Sequence, residues 1–282
     1  MELNLGIRAH DIQGQETIDG LAKEIAGKGL TAVQLALGKS FPDLNTSVGS
    51  LSPGLARHIG DQFKKNDVQI AVLGCYIHMI HPDKEKRQSE LERFKEHIRF
   101  ARDFGCSIVG TETGNVHEKT AYTEDNFEEQ PFLDVVESVR ELVEEAEKFG
   151  VIVAIEAGIN HPVHTAQKLR RLIDLIDSPN LQVILDPANL LDPYNYERQE
   201  EVFQEAMDLL GDHIVIMHAK DFIIDENGWV KMVPVGTGLL NYDAVFKLIK
   251  PKKPHLNVLL EATQEPHIDA SIEFLRKKYA EA

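Results

Sequence analysis

Four residues of metal-ligand type hold the same place in four similar pieces of the chain. Glu156 closes VIVAIE, Asp186 closes LQVILD, His218 closes HIVIMH and Glu261 closes LNVLLE. In each piece five mostly apolar residues run directly into the polar one, and the spacings are 30, 32 and 43 residues. A single Asp or Glu after an apolar run ordinarily caps a helix or sits in a loop. Four in succession, all able to bind a cation, point to one shared site. Three carboxylates gathered together repel one another, and a divalent ion removes that cost. Carboxylates with one imidazole form a mostly hard donor set. One divalent ion is expected, Mn²⁺ first, with Mg²⁺ or Co²⁺ as alternatives and Zn²⁺ less well matched.

The elements that must position these residues follow from hydrophobic periodicity. Strands are expected at Asn4–Ile7, Ala32–Leu35, Val68–Leu73, Ser107–Gly110, Val151–Glu156, Leu181–Asp186, His213–His218 and Leu256–Glu261. Between them the pattern predicts helices at Thr17–Lys28, Ser52–Asn66 with Pro53 at its first position, Lys84–Phe104, Phe132–Phe149, Thr165–Ile176, Glu197–Leu210, Asp243–Ile249 and Ile268–Tyr279. Gly29, Gly105 and Gly150 close the first, third and fourth. Continuous apolar strands are covered on both faces, as in a parallel sheet. Eight strand–helix units of about 35 residues each, with no linker or break in composition, predict an α/β fold, a single-domain (β/α)8 TIM barrel over residues 1–282. Adjacent strand ends lie side by side at the C-terminal mouth of such a barrel, so the four residues converge there.

Composition narrows the partners. Thirty Lys and Arg stand against 46 Asp and Glu, a formal charge of −16. That field repels nucleic acid and anionic membranes, so neither is an expected partner. Two cysteines, Cys75 and Cys106, make no disulfide framework and suit a reducing, cytoplasmic setting. The opening MELNLGIRAHD lacks the basic and apolar regions of a secretory leader. No apolar run reaches the 18 residues or so of a membrane span.

The set Glu156, Asp186, His218 and Glu261, together with LDPAN, HAKD and the closing LLEAT, resembles the xylose isomerase-like TIM barrels over essentially the whole chain. Within them it is most similar to the sugar (phosphate) isomerase/epimerase branch, which holds ketose 3-epimerases, hydroxypyruvate isomerases and inosose dehydratases. The resemblance implies that the four residues hold one divalent metal, and that Glu156 and Glu261 flank the substrate and move its protons through a metal-stabilised enediolate. It implies a small sugar or polyol-derived substrate, with or without phosphate, and a homodimer or homotetramer. An inosose dehydratase-like or dehydroshikimate dehydratase-like lyase on the same site is the rival outcome. A phosphodiesterase and a non-catalytic sugar-binding barrel are the readings from other classes.

Further candidates surround this set. Asn189 is a substrate-binding candidate able to hydrogen-bond a hydroxyl, or else a turn residue; it stands where several relatives carry a substrate-contacting His, which weakens a ketose 3-epimerase reading and the DNA-repair one. Lys220 in HAKD is a substrate-binding candidate, or else a loop lysine paired with Asp221. Arg8, His78 and His161 are expected at the mouth as substrate contacts, with His10, His81, Glu112, Thr113 and Asn115 on a polar rim. His78, His81 and His117 could form a second metal site. Gly236 and Gly238 serve tight turns rather than a dinucleotide motif. Ile223–Val233, with DENG at its centre, reads as a hairpin over the mouth, and Trp229 on it as a lid residue or a packing residue against the barrel. Phe127, Tyr194 and Tyr196 could close on a substrate or a neighbouring subunit.

Overall fold

A computed structural model describes residues 2–282. Seven of the barrel strands come first: β1 (Asn4–Arg8), β2 (Ala32–Leu35), β3 (Gln69–Gly74), β4 (Ile108–Thr111), β5 (Ile152–Glu156), β6 (Leu181–Leu185) and β7 (Ile214–Ala219). A two-stranded excursion, β8 (Asp221–Ile224) with β9 (Val230–Val233), precedes the last barrel strand, β10 (Asn257–Leu260). The barrel closes in the order β1-β10-β7-β6-β5-β4-β3-β2, and β1 pairs with β2. Every barrel pairing is parallel. The expected (β/α)8 barrel is therefore what the chain builds.

The outer helices are α1 (Ile18–Gly27), α3 (Pro53–Lys64), α4 (Lys84–Phe100), α5 (Glu129–Phe149), α6 (Ala166–Ile176), α7 (Gln199–Leu210), α8 (Tyr242–Lys252) and α9 (Ile268–Glu281), with a short α2 (Leu37–Ser40) after β2. Thr17, Ser52, Asp83, Thr165 and Asn241 each precede a helix and accept a hydrogen bond from a first-turn amide. Replacing such a cap by Ala costs about 1 kcal/mol. The third helix stops at Phe100, short of the expected Phe104. Residues 101–105 tighten instead into turns that end at Gly105, where φ is +74°.

The barrel interior explains why the polar residues reach the mouth. Ala32, Val72, Ala154, Ile184, Ile216 and Leu259 form one buried interior cluster with Ala71. Side chains two residues apart on a strand share a face. Gln34, Glu156, Asp186, His218 and Glu261 each lie two residues beyond one of these interior positions. They continue the same face out of the barrel. Gly6 keeps the floor from overfilling, because a Cβ there would lie 2.6 Å from Leu259 Cδ2. Thus apolar layers fill the barrel and a polar layer tops it.

The hairpin forms as expected, antiparallel, with Asp225 Oδ1 accepting from the amides of Asn227 and Trp229. Gly238 sits against Asp221, where a Cβ would come within 2.3 Å of Oδ1. The Asp221 carboxylate accepts from the amides of Phe222, Gly236, Gly238 and Leu240, and folds the loop after the hairpin around itself. The two glycines serve a turn, as expected. No helix among the described residues is long and apolar enough to cross a membrane.

Candidate active site

Glu156 is the last residue of β5, His218 lies next to last in β7, and Asp186 and Glu261 follow β6 and β10 directly. All four are buried, at 2, 0, 2 and 6% exposure in that order. One ligand atom from each lies within 4.8 Å of the others. An octahedral shell with bonds of about 2.1 Å spans roughly 4.2 Å, so modest contraction closes the set on one ion. Among the described residues this is the group of metal-ligand type that comes together.

Two atoms of the cluster are stranded. His218 Nδ1 lies 2.8 Å from Glu261 Oε2 and 3.2 Å from Glu156 Oε2, and Asp186 Oδ2 lies 2.9 Å from Lys220 Nζ. Neither atom makes a well-aligned hydrogen bond, and both are fully enclosed. Each atom has a charged neighbour at contact distance but no aligned hydrogen bond, a geometry that a bound cation would satisfy better. Charge says the same. Glu156, Asp186, Glu261 and Asp11 carry four negative charges, and Arg8 and Lys220 carry two positive ones. With neutral His218 the excess of two matches one divalent ion. The residues fit the metal.

Burial and neighbours set the proton affinities of the set in the metal-free protein. Burial raises the Asp186 carboxyl to about 6, although Lys220 opposes this. Burial pushes the His218 imidazole down, but Glu156 and Glu261 outweigh it and lift the ring to about 10. Burial also pushes the Glu261 carboxyl up, yet Lys220, His218 and Arg8 together hold it well below the usual carboxylate range. Lys220 is buried too, and its carboxylate neighbours keep it firmly protonated.

Lys220 reaches the centre of the site. Its Nζ is 2.6 Å from Glu261 Oε1, 2.9 Å from Asp186 Oδ2 and 3.2 Å from Asn189 Oδ1. The alternative pairing with Asp221 does not form, because successive residues of an extended chain face opposite ways. Lys220 shares the face of His218, whereas Asp221 turns to the loop amides. Asn189 also donates from Nδ2 to Glu156 Oε1 at 2.7 Å, so it joins the lysine to the glutamate. Arg8 Nη1 lies 2.9 Å from Glu261 Oε1, and its other nitrogens hold Asp11. Asp11 in turn accepts from the amide of Ala262.

The other candidates each have protein contacts of their own. His161 Nδ1 bonds the carbonyl of Gly114, and its ring packs over Gly158 together with Asn189, at the edge of the site. His78 Nε2 bonds the carbonyl of His117. The second metal site at His78, His81 and His117 is not assembled: His81 Nδ1 accepts from the Asp83 amide, and His117 pairs with Asp125. Thr113 and Asn115 are fully buried loop braces rather than rim residues. Trp229 packs on Tyr122 in the segment after β4, at 5.8 Å between ring centres, while Ile224, Val230 and Met232 of the same hairpin pack against the core. Tyr196 packs edge-on to Phe222, Phe127 packs on His164, and Tyr194 is 88% exposed.

Three residues at the site were not singled out from the sequence: Asp11, Gln34 and Tyr76. His218 Nε2 is 2.6 Å from Gln34 Oε1, and Gln34 Nε2 donates to the Tyr76 hydroxyl. A signal existed for Gln34, a lone amide within the otherwise apolar AVQLAL. None marked Tyr76.

Comparisons with known proteins agree with this architecture. A 3-oxo-isoapionate decarboxylase of Pectobacterium atrosepticum is 35% identical over 95 residues, a match that spans 32% of this chain and 32% of that protein's length. The crystal structure of a probable 3-DHS dehydratase from Bacillus anthracis superposes with a TM-score of 0.73 at 17% identity, covering 98% of each chain. That of a D-psicose 3-epimerase with D-tagatose from Clostridium cellulolyticum H10 gives 0.72 at 15% identity, covering 99% of each. At those identities the two structures show the fold alone. The family model described as xylose isomerase-like TIM barrel matches residues 22–278. The chain belongs to the xylose isomerase-like TIM barrel family.

Proposed function

We propose that this chain is a divalent-metal-dependent sugar or sugar-phosphate isomerase or epimerase, with Mn²⁺ as its ion, held by Glu156, Asp186, His218 and Glu261. The buried four-residue cluster with its two stranded atoms carries this reading. When bound, the ion would polarise a substrate carbonyl and make the hydrogen on the neighbouring carbon acidic.

Glu156 is the base. Its Oε1 accepts only the Asn189 amide, a neutral partner that can turn to hold a substrate hydroxyl when the glutamate takes a proton. Glu261 is held differently, with Arg8 and Lys220 both on Oε1. Two cations oppose its protonation, so it serves first as an anionic ligand. Return of the proton by Glu156 to the former carbonyl carbon, with the neighbouring hydroxyl proton passing to the former carbonyl oxygen, is an isomerisation. Inversion at one carbon requires Glu261 to deliver the second proton. Lys220, Arg8 and His161 line the substrate side, with His78 farther out behind Gly114.

Lys220 favours one second reading, a lyase. A protonated amine beside the site can hold a substrate carboxylate or protonate a departing hydroxyl. The Pectobacterium relative is a decarboxylase, and loss of carbon dioxide from a 3-oxo acid leaves its electron pair on the same kind of carbon that proton removal does.

The test loads stripped protein with Mn²⁺, Mg²⁺, Co²⁺ or Zn²⁺ and incubates each form in D₂O with ketoses, inososes, their phosphates and 3-oxo sugar acids. Metal-dependent deuterium next to a carbonyl, with an isomeric product, is the expected result. A UV-absorbing product or released carbon dioxide establishes the lyase instead. Failure to bind any ion after reloading overturns both.

A further inference from the structure

Gln34 and Tyr76 take no part in the proton-transfer scheme. Gln34 is buried at 1% exposure, on β2, directly under the mouth. Its amide has two ends with opposite hydrogen-bonding character. Oε1 can only accept and Nε2 can only donate. Oε1 faces His218 Nε2 at 2.6 Å, and Nε2 faces the Tyr76 hydroxyl. The direction of each bond then follows. His218 must carry its proton on Nε2, which leaves Nδ1 as the nitrogen turned toward Glu156 and Glu261. The Tyr76 hydroxyl, already accepting from Gln34, has its own single proton left over. That proton meets no protein acceptor among the described residues.

The phenol ring is held in place from two sides. Lys39 Nζ lies over it, 4.0 Å from the ring centre. Gly74 lies against the same pair, since a Cβ there would come 3.3 Å from both Gln34 Nε2 and Tyr76 Cε2. Burial, with Glu261 next in effect, pushes the phenol well above its ordinary range, and Glu156 and Glu112 act on it in the same direction, as expected for a ring at the mouth. It therefore stays a donor.

We propose that Gln34 positions two groups at once: it fixes the His218 ring with Nδ1 presented to the metal position, and it turns the Tyr76 hydroxyl so that its proton is donated to a substrate oxygen. Tyr76 is then a substrate-binding residue and Gln34 a positioning residue. This rests on the metal-site reading above. Outer partners that orient a ligating histidine typically change metal affinity 10- to 100-fold.

Three substitutions separate the two roles. Q34L removes the acceptor for His218. Q34E keeps that acceptor but, lacking an amide donor, takes the Tyr76 proton for itself. Y76F leaves His218 alone and removes the donated proton. Mn²⁺ binding is measured by calorimetry on the metal-free full chain, with thermal unfolding as a check on the fold. Q34L should bind Mn²⁺ about 10- to 100-fold more weakly, while Q34E and Y76F stay within about threefold of wild type or tighter. Glycolohydroxamate, a small oxyanionic chelator, then probes the Mn²⁺-loaded forms. Y76F should weaken its binding about tenfold in the wild-type background, the scale of one hydrogen bond to a charged group. On the Q34E background Y76F should cost less than about twofold, because the hydroxyl is already turned away. Undiminished Mn²⁺ affinity in Q34L overturns the histidine role. An equal Y76F effect in both backgrounds, or none in either, overturns the tyrosine role. Absence of Mn²⁺ binding by the wild type would instead overturn the site reading, and this proposal with it.

Discussion

The two halves of the barrel contribute to the mouth in different ways. β5, β6, β7 and β10 each place an ionisable residue at or next to their C-terminal end, and one ligand atom from each of the four lies within 4.8 Å of the others. β1 and β2 and the segment after β3 contribute Arg8, Gln34 and Tyr76, which touch the cluster or its supports without joining it. The second half presents charge and the first half orients it. Glu261 Oε2 and Glu156 Oε2 both approach His218 Nδ1, yet what faces the far side of that ring is a neutral amide from the opposite half. Charged groups supply binding energy here. A neutral group with one donor end and one acceptor end supplies direction.

Substitutions in the second half should break the enzyme, and those in the first should only blunt it. E156Q is expected to lower turnover about a thousandfold, the scale of a lost general base, with the barrel still folded; measurable wild-type turnover would remove Glu156 from that role. K220M should lower kcat/KM about a hundredfold and yet bind Mn²⁺ more tightly, because a buried positive charge beside Asp186 and Glu261 repels the ion. Calorimetry on K220M settles the sign.

The next effect is one of pH. In the metal-free protein His218 keeps its proton up to about 10, and the ion needs Nδ1 bare. Metal therefore displaces a proton throughout the neutral range. Mn²⁺ affinity should rise up to tenfold per pH unit below 10, and more steeply below about 6, where the Asp186 carboxyl also holds a proton. Calorimetry in buffers of different ionisation enthalpy counts the protons released, and a flat profile between pH 7 and 9 would contradict the proposed ligand.

From the supporting half, R8M should lower kcat/KM about tenfold through a loosened Glu261, with one metal per chain retained by elemental analysis. The smallest effect belongs to W229A. Trp229 is half exposed and touches Tyr122 rather than the cluster, so KM should change by less than about threefold while proteolysis of the hairpin speeds up. A tenfold loss of kcat in W229A would make the hairpin part of the site.

Much of this was legible along the chain. The eight strands and their helices appeared within a few residues of their places, because alternation between apolar runs and amphipathic stretches is a local property. Glu156, Asp186, His218 and Glu261 stood out because each breaks an apolar run at its end. Lys220 was legible only as a pair of alternatives, decided by which face of the strand it shares with His218. Thr113 and Asn115 were misplaced on the rim because composition does not distinguish a buried loop brace from a polar lining. The expected cluster of His78, His81 and His117 failed because His81 and His117 turn their ring nitrogens to the Asp83 amide and the Asp125 carboxylate instead.

By itself, then, the sequence determined the repeating strand–helix units, their order and the four charged strand ends, all of which are written in patterns a few residues long. Barrel closure decided the rest. Gln34 on β2 and His218 on β7 are 184 residues apart, and only closure of the barrel through β1 and β10 brings the two side chains together across its mouth. Which ring nitrogen faces the metal position, and where the Tyr76 proton points, depend on that contact. Hydrogen-bond direction is a property of two atoms in space, and no local pattern encodes the partner.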